Sequence, residues 1–103
     1  MINFVICCSQ GMSSSALVKK MRDYVADENL DININATTTA RVLAGDAPFD
    51  VLMLGPQIRY EKEKLQKAFP DKPVEVIPMM MYGRFQGGEV IKLGLELLEE
   101  KNG

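Results

Sequence analysis

Two short apolar runs constrain this chain more than any other feature. INFVIC at residues 2–7 and DVLML at residues 50–54 are nearly continuous stretches of β-branched, aromatic and long aliphatic side chains. A strand with one wet face alternates apolar and polar residues, whereas a strand covered on both faces does not. Both runs therefore fit strands of a parallel sheet with helices packed on each side.

The segments between them agree. In residues 16–28, Leu17, Met21 and Val25 recur every four positions and would face a core, while Lys19, Lys20, Arg22 and Asp23 would face water. Residues 31–36 alternate Ile32 and Ile34 with polar side chains, the pattern of a more exposed strand. Residues 39–44 form a short helical turn closed by Gly45. Gly55-Pro56 breaks the DVLML strand, and residues 57–69 predict one helix with Ile58, Leu65 and Phe69 inward. Pro70 and Pro73 bracket a turn, residues 74–77 form a fourth strand, and residues 78–88 are irregular. Residues 89–100 form a final helix with Val90, Ile91, Leu95 and Leu98 apolar. No repeat, linker or low-complexity tract divides the chain, so residues 1–103 are expected to form one domain.

Strand and helix thus alternate four times. Right-handed crossovers leave few arrangements of such a chain. The expected fold is a single open four-stranded parallel sheet in the order 2-1-3-4, with helices on both faces. In such sheets the functional site lies beyond the carboxyl ends of the strands, where the strand order reverses. That places it beside strands 1 and 3, among residues 8–15, 55–60 and 79–83.

Composition excludes several chemistries. The formal net charge is −2, which argues against a chain whose main task is gripping nucleic acid. No apolar run approaches the roughly 20 residues that span a bilayer, and MINFVICC has no basic segment of the kind that opens a signal peptide. The two cysteines, Cys7 and Cys8, are adjacent, and a disulfide between neighbours is strained. Reduced thiols in the cytoplasm are the expectation. Histidine is absent, so the chain offers no histidine base, ligand or phosphohistidine, and two adjacent cysteines do not make a zinc site.

The stretch Cys8-Ser9-Gln10-Gly11-Met12-Ser13-Ser14-Ser15 joins the first strand to a helix. Gly11 permits a turn in which successive N–H groups converge, and a helix start adds unpaired N–H groups and a positive dipole end. Together these favour an anion such as phosphate, and the same field lowers the pKa of a cysteine at the entrance. A plainer reading makes Gly11 a turn glycine, one serine an N-cap and a cysteine a small core residue.

Specific chemistries can be compared against the spacing. A cysteine phosphatase needs an arginine six residues after its nucleophile, but that position holds Ser14 after Cys8 and Ser13 after Cys7. A thioredoxin-type protein needs two residues between its cysteines. A flavodoxin needs aromatics to sandwich its ring, and this chain has no Trp and three Tyr. A response regulator needs an aspartate closing the third strand, where Leu54-Gly55 stands. What remains is a cysteine that accepts a phosphoryl group and passes it on, without the arginine clamp that would commit it to water.

The same residues carry a family resemblance. CSQGMSSSALVKKM resembles the phosphorylation loop of the lactose/cellobiose/chitobiose type of enzyme IIB, of the phosphoenolpyruvate-dependent sugar phosphotransferase system (PTS), whose loop typically reads C-S-x-G-M-S-[ST]-S. DVLMLGPQIRY resembles the family's third strand and Leu-Gly-Pro-Gln-[IV]-x-Tyr sequence, and KPVEVIPMMMYG its fourth strand and the segment after it. The likeness runs nearly end to end. It implies a three-layer fold similar to low-molecular-weight tyrosine phosphatases and flavodoxins. It also implies a cytoplasmic protein-phosphohistidine–sugar phosphotransferase with a phosphocysteine intermediate and no cofactor or metal. Phosphohistidine of EIIA would be the donor. The acceptor would be a β-disaccharide such as cellobiose, chitobiose or lactose, held by the membrane transporter EIIC and the chain's only link to the membrane. Carried onto this sequence, Cys8 is the nucleophile, Ser9, Gln10, Gly11, Met12, Ser13, Ser14 and Ser15 form the phosphate loop, and the chain acts as a monomer. The family often has an apolar residue where Cys7 stands and a small one at Gln10, so Cys7 is expected in the core or against the first helix.

Gln57, Arg59, Tyr60 and Tyr82 are candidates for the rim of the site and for docking. The charged stretch at residues 59–67 is also what a solvated helix face would show. The run Met79-Met80-Met81 fits core filling, and with Tyr82 it could line the rim. Two rival functions remain open: a thiol redox protein using Cys7 and Cys8, and a phosphate-binding module with an inert cysteine.

Overall fold

The computed structural model of the chain describes residues 1–7 and 15–102. The strands are β1 (Ile2–Cys7), β2 (Ile32–Thr37), β3 (Val51–Leu54) and β4 (Val74–Val76). They form one parallel sheet in the order β2-β1-β3-β4, as the crossover argument predicts. The helices are α1 (Ser15–Asp27), α2 (Thr39–Leu43), α3 (Lys62–Ala68), α4 (Met79–Gly83) and α5 (Gly87–Asn102).

Strand alternation splits the core into two layers. Phe4 and Ile6 of β1, Ile34 of β2 and Val51 and Met53 of β3 pack against Leu17 and Met21 of α1 and Val90 and Ile91 of α5. On the opposite face Val5 and Cys7 of β1 join Leu52, Leu54 and Val74, covered by Val42 of α2, Phe49, Ile58 and Leu65 of α3. The two central strands, β1 and β3, are therefore apolar on both faces, which is why their sequences lack alternation. Arg22 of α1 donates to the carbonyl of Ile34 at 2.7 Å and ties that helix to β2.

Two expectations need correction. Residues 57–69 are not one helix. Pro56–Glu61 is a 3-10 segment, and Ile58 leaves helical geometry at φ −118, ψ 30 before α3 begins at Lys62. Ile58 and Leu65 are both buried in the cluster that holds Cys7 and Leu54, so the break changes the backbone and not the inward side of these two residues. Residues 78–88 are not irregular throughout. Pro78 precedes the single turn of α4, and α5 begins two residues ahead of expectation.

Both α1 and α4 end in the same device. After α1, Leu30 N–H donates to Val25 O and Asn29 N–H to Ala26 O, with Asn29 at φ 53. After α4, Gln86 N–H donates to Met81 O and Phe85 N–H to Tyr82 O, with Phe85 at φ 54. This is the Schellman cap, whose left-handed position usually holds Gly and sometimes Asn. A phenylalanine there carries a steric cost of about 1–2 kcal/mol, although its ring is 45% exposed and gives little burial in return. Phe85→Gly is accordingly expected to leave stability unchanged or raise it by up to about 1 kcal/mol in urea unfolding. A clear loss would mean that the ring's packing outweighs the strain.

Candidate functional site

Cys8 and residues 9–14 lie outside the described residues, so the site is built from the elements that border them. Ser15 is the first residue of α1. β1 brings the chain to Cys7, whose carbonyl accepts the N–H of Gly55 at 2.8 Å. This bond extends the β1–β3 pairing one step past Leu54 and fixes where the chain stands as it enters Cys8. A matching bond, Ile77 N–H to Leu54 O at 2.8 Å, fixes the end of β4. The carboxyl ends of β1, β3 and β4 are thus held in line at the place where the strand order reverses.

Cys7 is fully buried, among the side chains beneath α2 and α3. The expectation placed it in the core or against the first helix. It is in the core, on the face away from α1, because it alternates with Phe4 and Ile6, which face α1 and α5. Dithiol chemistry would need this thiol at the surface.

Beyond β3, Gly55 is extended and Pro56 occupies the first position of the 3-10 segment, where a missing N–H costs nothing. Pro56 and Ile58 are buried, which turns Gln57, Arg59 and Tyr60 to the surface. Beyond β4, α4 buries Tyr82 against the α1/α5 layer, with its N–H on Pro78 O at 3.0 Å. Met81 is half-buried, but Met79 and Met80 are 67% and 63% exposed. The expectation that the methionine run fills the core is corrected for these two. α4 has five residues and stands past the strand ends, so only one side of it meets the sheet layer.

Three of the four rim candidates come together. Gln57, Arg59 and Tyr82 line one groove with Pro56, Met79 and Gly83, of about 330 Å³, between the ends of β3 and β4. Tyr60, 74% exposed, lies instead on a neighbouring hollow with Arg59, Lys62, Glu63, Gln66 and Lys67. The other lining residues, Pro56, Met79 and Gly83, fall within the stretches 55–60 and 79–83 that the sequence placed beside the strand ends. A larger hollow of about 520 Å³, lined by Met1, Ile2, Asp50, Leu95, Leu98 and Glu99, opens at the amino ends of the strands, away from Cys7.

Arg59 is the notable charge of the groove. Lys62 pairs with Glu75 at 2.9 Å and Lys67 with Glu63 at 3.2 Å. Among the described residues Arg59 makes no ion pair, and its Nη1 donates to the carbonyl of Pro56 at 3.4 Å. Among the described residues no group of three His, Cys, Asp or Glu could hold a metal, and no helix is long and apolar enough to cross a membrane.

Comparison with known proteins agrees with this architecture. The family model of the PTS system lactose/cellobiose-specific IIB subunit matches residues 3–93. The cellobiose-specific EIIB component of Lactococcus lactis is 37% identical over 100 residues, covering 90% of this chain and 93% of that protein. The oligo-beta-mannoside-specific EIIB component of Bacillus subtilis is 33% identical, covering 95% and 97%. The solution structure of the cellobiose-specific IIB component from Borrelia burgdorferi superposes with a TM-score of 0.80 at 31% identity, over 97% of this chain and 94% of that one. The lactose-specific IIB domain from Streptococcus pneumoniae shares the fold at the same TM-score, 0.80, with 13% identity, over 93% and 96%. A parallel sheet in this strand order, with Cys8 following β1 at the reversal, and these relatives lead to one assignment: the chain belongs to the lactose/cellobiose-specific IIB subunits of the phosphotransferase system.

Proposed function

We propose that this chain is a phosphocarrier that takes a phosphoryl group from EIIA onto Cys8 and delivers it to a sugar held by EIIC. The observation that carries the reading is the position of Cys8. In the chain it follows Cys7, whose carbonyl Gly55 N–H pins at the carboxyl edge of the sheet, and it precedes the start of α1 at Ser15 by seven residues. That edge is where open parallel sheets hold their ligands.

In the first step the Cys8 thiolate attacks the phosphorus of a phosphohistidine in line. The S–P bond forms as the N–P bond breaks, and the imidazole leaves with the electron pair. In the second, a sugar hydroxyl oxygen attacks the phosphorus, the O–P bond forms, and the thiolate is regenerated as the S–P bond breaks. The hydroxyl proton passes to a base on the transporter side. Residues Ser9 to Ser15 hold the phosphoryl oxygens, chiefly through backbone N–H groups, which favour the charge without binding it as tightly as an arginine would. The chain itself supplies no metal or cofactor step. The relatives' names mention cellobiose, galactose and oligo-beta-mannoside. The sugar carried here is proposed to be a β-linked disaccharide or short oligosaccharide, loaded on the cytoplasmic side.

The test is intact mass after incubation with phosphoenolpyruvate, the general phosphotransferase enzymes and cellobiose-type EIIA proteins. One phosphoryl group should be gained, then lost when membranes containing a cellobiose-type EIIC and cellobiose are added. No gain with any EIIA would overturn the reading.

A further inference from the structure

We propose that the groove between the ends of β3 and β4 seats the phosphoryl-donating protein, which inserts an apolar side chain against Met79 and Tyr82 and sets a carboxylate on Arg59. This rests on the reading of Cys8 as the phosphoryl carrier.

The groove has the shape and chemistry of a docking pocket. Its walls are the buried faces of Pro56 and Tyr82, its lip is the exposed Met79, and its volume of about 330 Å³ admits one large side chain. Methionine on a surface suits partners that bind and leave, because its unbranched thioether repacks at little cost. Folding does not account for this surface. Met79 and Met80 of α4 are mostly exposed, and the cap of the same helix holds an exposed phenylalanine in a left-handed conformation. Surface strain of that kind is kept where another demand outweighs stability.

The occupant follows from place and charge. The groove shares the carboxyl edge of the sheet with the residue that follows Cys7, so a protein delivering a group to Cys8 must cover this edge. Arg59 is at the lip and its charge is unmatched by any described carboxylate, whereas Lys62 and Lys67 behind it are already paired. A donor arrives carrying a phosphoryl anion, and an added carboxylate on its surface would complete the match to Arg59. After loading, the phosphoryl group brings negative charge of its own to this edge and offsets Arg59. The attraction is therefore greatest before loading and weakens once the group has been delivered, which helps the donor leave.

The test is the rate of transfer from phosphorylated cellobiose-type EIIA proteins to the wild type, Arg59→Glu and Met79→Ser. Lys92→Glu on α5 gives the same change of net charge outside the groove. All four are compared at low and high salt, with far-ultraviolet circular dichroism to check folding. Arg59→Glu should raise KM for the donor about tenfold at low salt, far less at high salt, with kcat changing much less. Met79→Ser should raise KM severalfold at both salts, and Lys92→Glu should leave it unchanged. Wild-type KM in both groove variants would overturn the docking site while leaving the phosphocarrier intact. If no donor charges the wild type, the phosphocarrier reading falls and the docking site with it.

Discussion

Cys8→Ser should take up no phosphoryl group from any charged EIIA, and Cys7→Ala should take up one as the wild type does. The difference comes from where β1 leaves the two thiols. Cys7 lies wholly inside the layer formed by Val5, Leu52, Leu54, Ile58 and Leu65. No donor phosphorus can reach it without opening that layer. Cys8 comes one residue later, past the last pair of the β1–β3 ladder. A serine at position 8 keeps the size of the side chain but not its chemistry. At neutral pH a hydroxyl stays protonated, while even an ordinary thiol is a few per cent thiolate and a far stronger nucleophile. The loss should therefore be complete within the sensitivity of intact mass spectrometry. Cys7→Ala removes one buried sulfur and should cost roughly 1 kcal/mol of stability, read from urea unfolding. Phosphoryl uptake that persists in Cys8→Ser and disappears in Cys7→Ala would reverse the assignment. Loss in both folded variants would point to chemistry that needs the pair.

The second large effect concerns the fold beneath the site. Gly87→Ala at the start of α5 should lower stability by about 1–3 kcal/mol or more, out of a total on the order of 5–15 kcal/mol. A Cβ there would lie 2.5 Å from the carbonyl carbon of Lys20 and from the nitrogen of Met21, both backbone atoms of α1. Backbone inside a helix cannot step aside, so α5 would have to lift off α1. Gly94→Ala meets the ring of Phe4 at 2.4 Å, and that ring is fully buried in the same layer, so its cost should also be large. Gly88→Ala should be the mildest. Its Cβ would meet the ring of Tyr24 at 2.8 Å, a half-buried side chain that can swing outward. Alanine's advantage in a helix, about 1 kcal/mol over glycine, then offsets part of the cost. Urea midpoints with unchanged slopes would give the order. If Gly87→Ala matches the wild type, the close approach of α5 to α1 is not what holds them together. The contact also bears on function, because α1 begins at Ser15, where the loop after Cys8 ends. A shifted α1 would move that end of the loop.

The sheet was legible because its two central strands are apolar on both faces. INFVIC and DVLML could be buried only between two helical layers, and the alternation with helical segments then selected the order 2-1-3-4. That Cys8 follows the strand at the reversal came from the same reasoning, whereas the family resemblance rested on the motifs CSQGMSSSALVKKM, DVLMLGPQIRY and KPVEVIPMMMYG. Other features were not legible for identifiable reasons. Period-two alternation sets Cys7 and Phe4 on opposite faces but does not say which face α1 covers. Ile58 has the spacing of a buried helical residue and is buried, yet its backbone leaves helical geometry at φ −118, ψ 30, which side-chain spacing does not encode. Three consecutive methionines carry no period at all, so nothing local distinguishes the half-buried Met81 from the exposed Met79 and Met80.

The sequence by itself determined the layers and the strand order, and with them the strand end after which the proposed nucleophile stands, because each depends on local pattern and on the handedness of crossovers. Only the tertiary structure decided the surface around that position. Whether Met79 is core or rim, and whether Arg59 is paired or open, depends on how far α4 and the 3-10 segment reach past the strand ends. That distance is set by packing between elements far apart in the chain, and no stretch of residues encodes it alone.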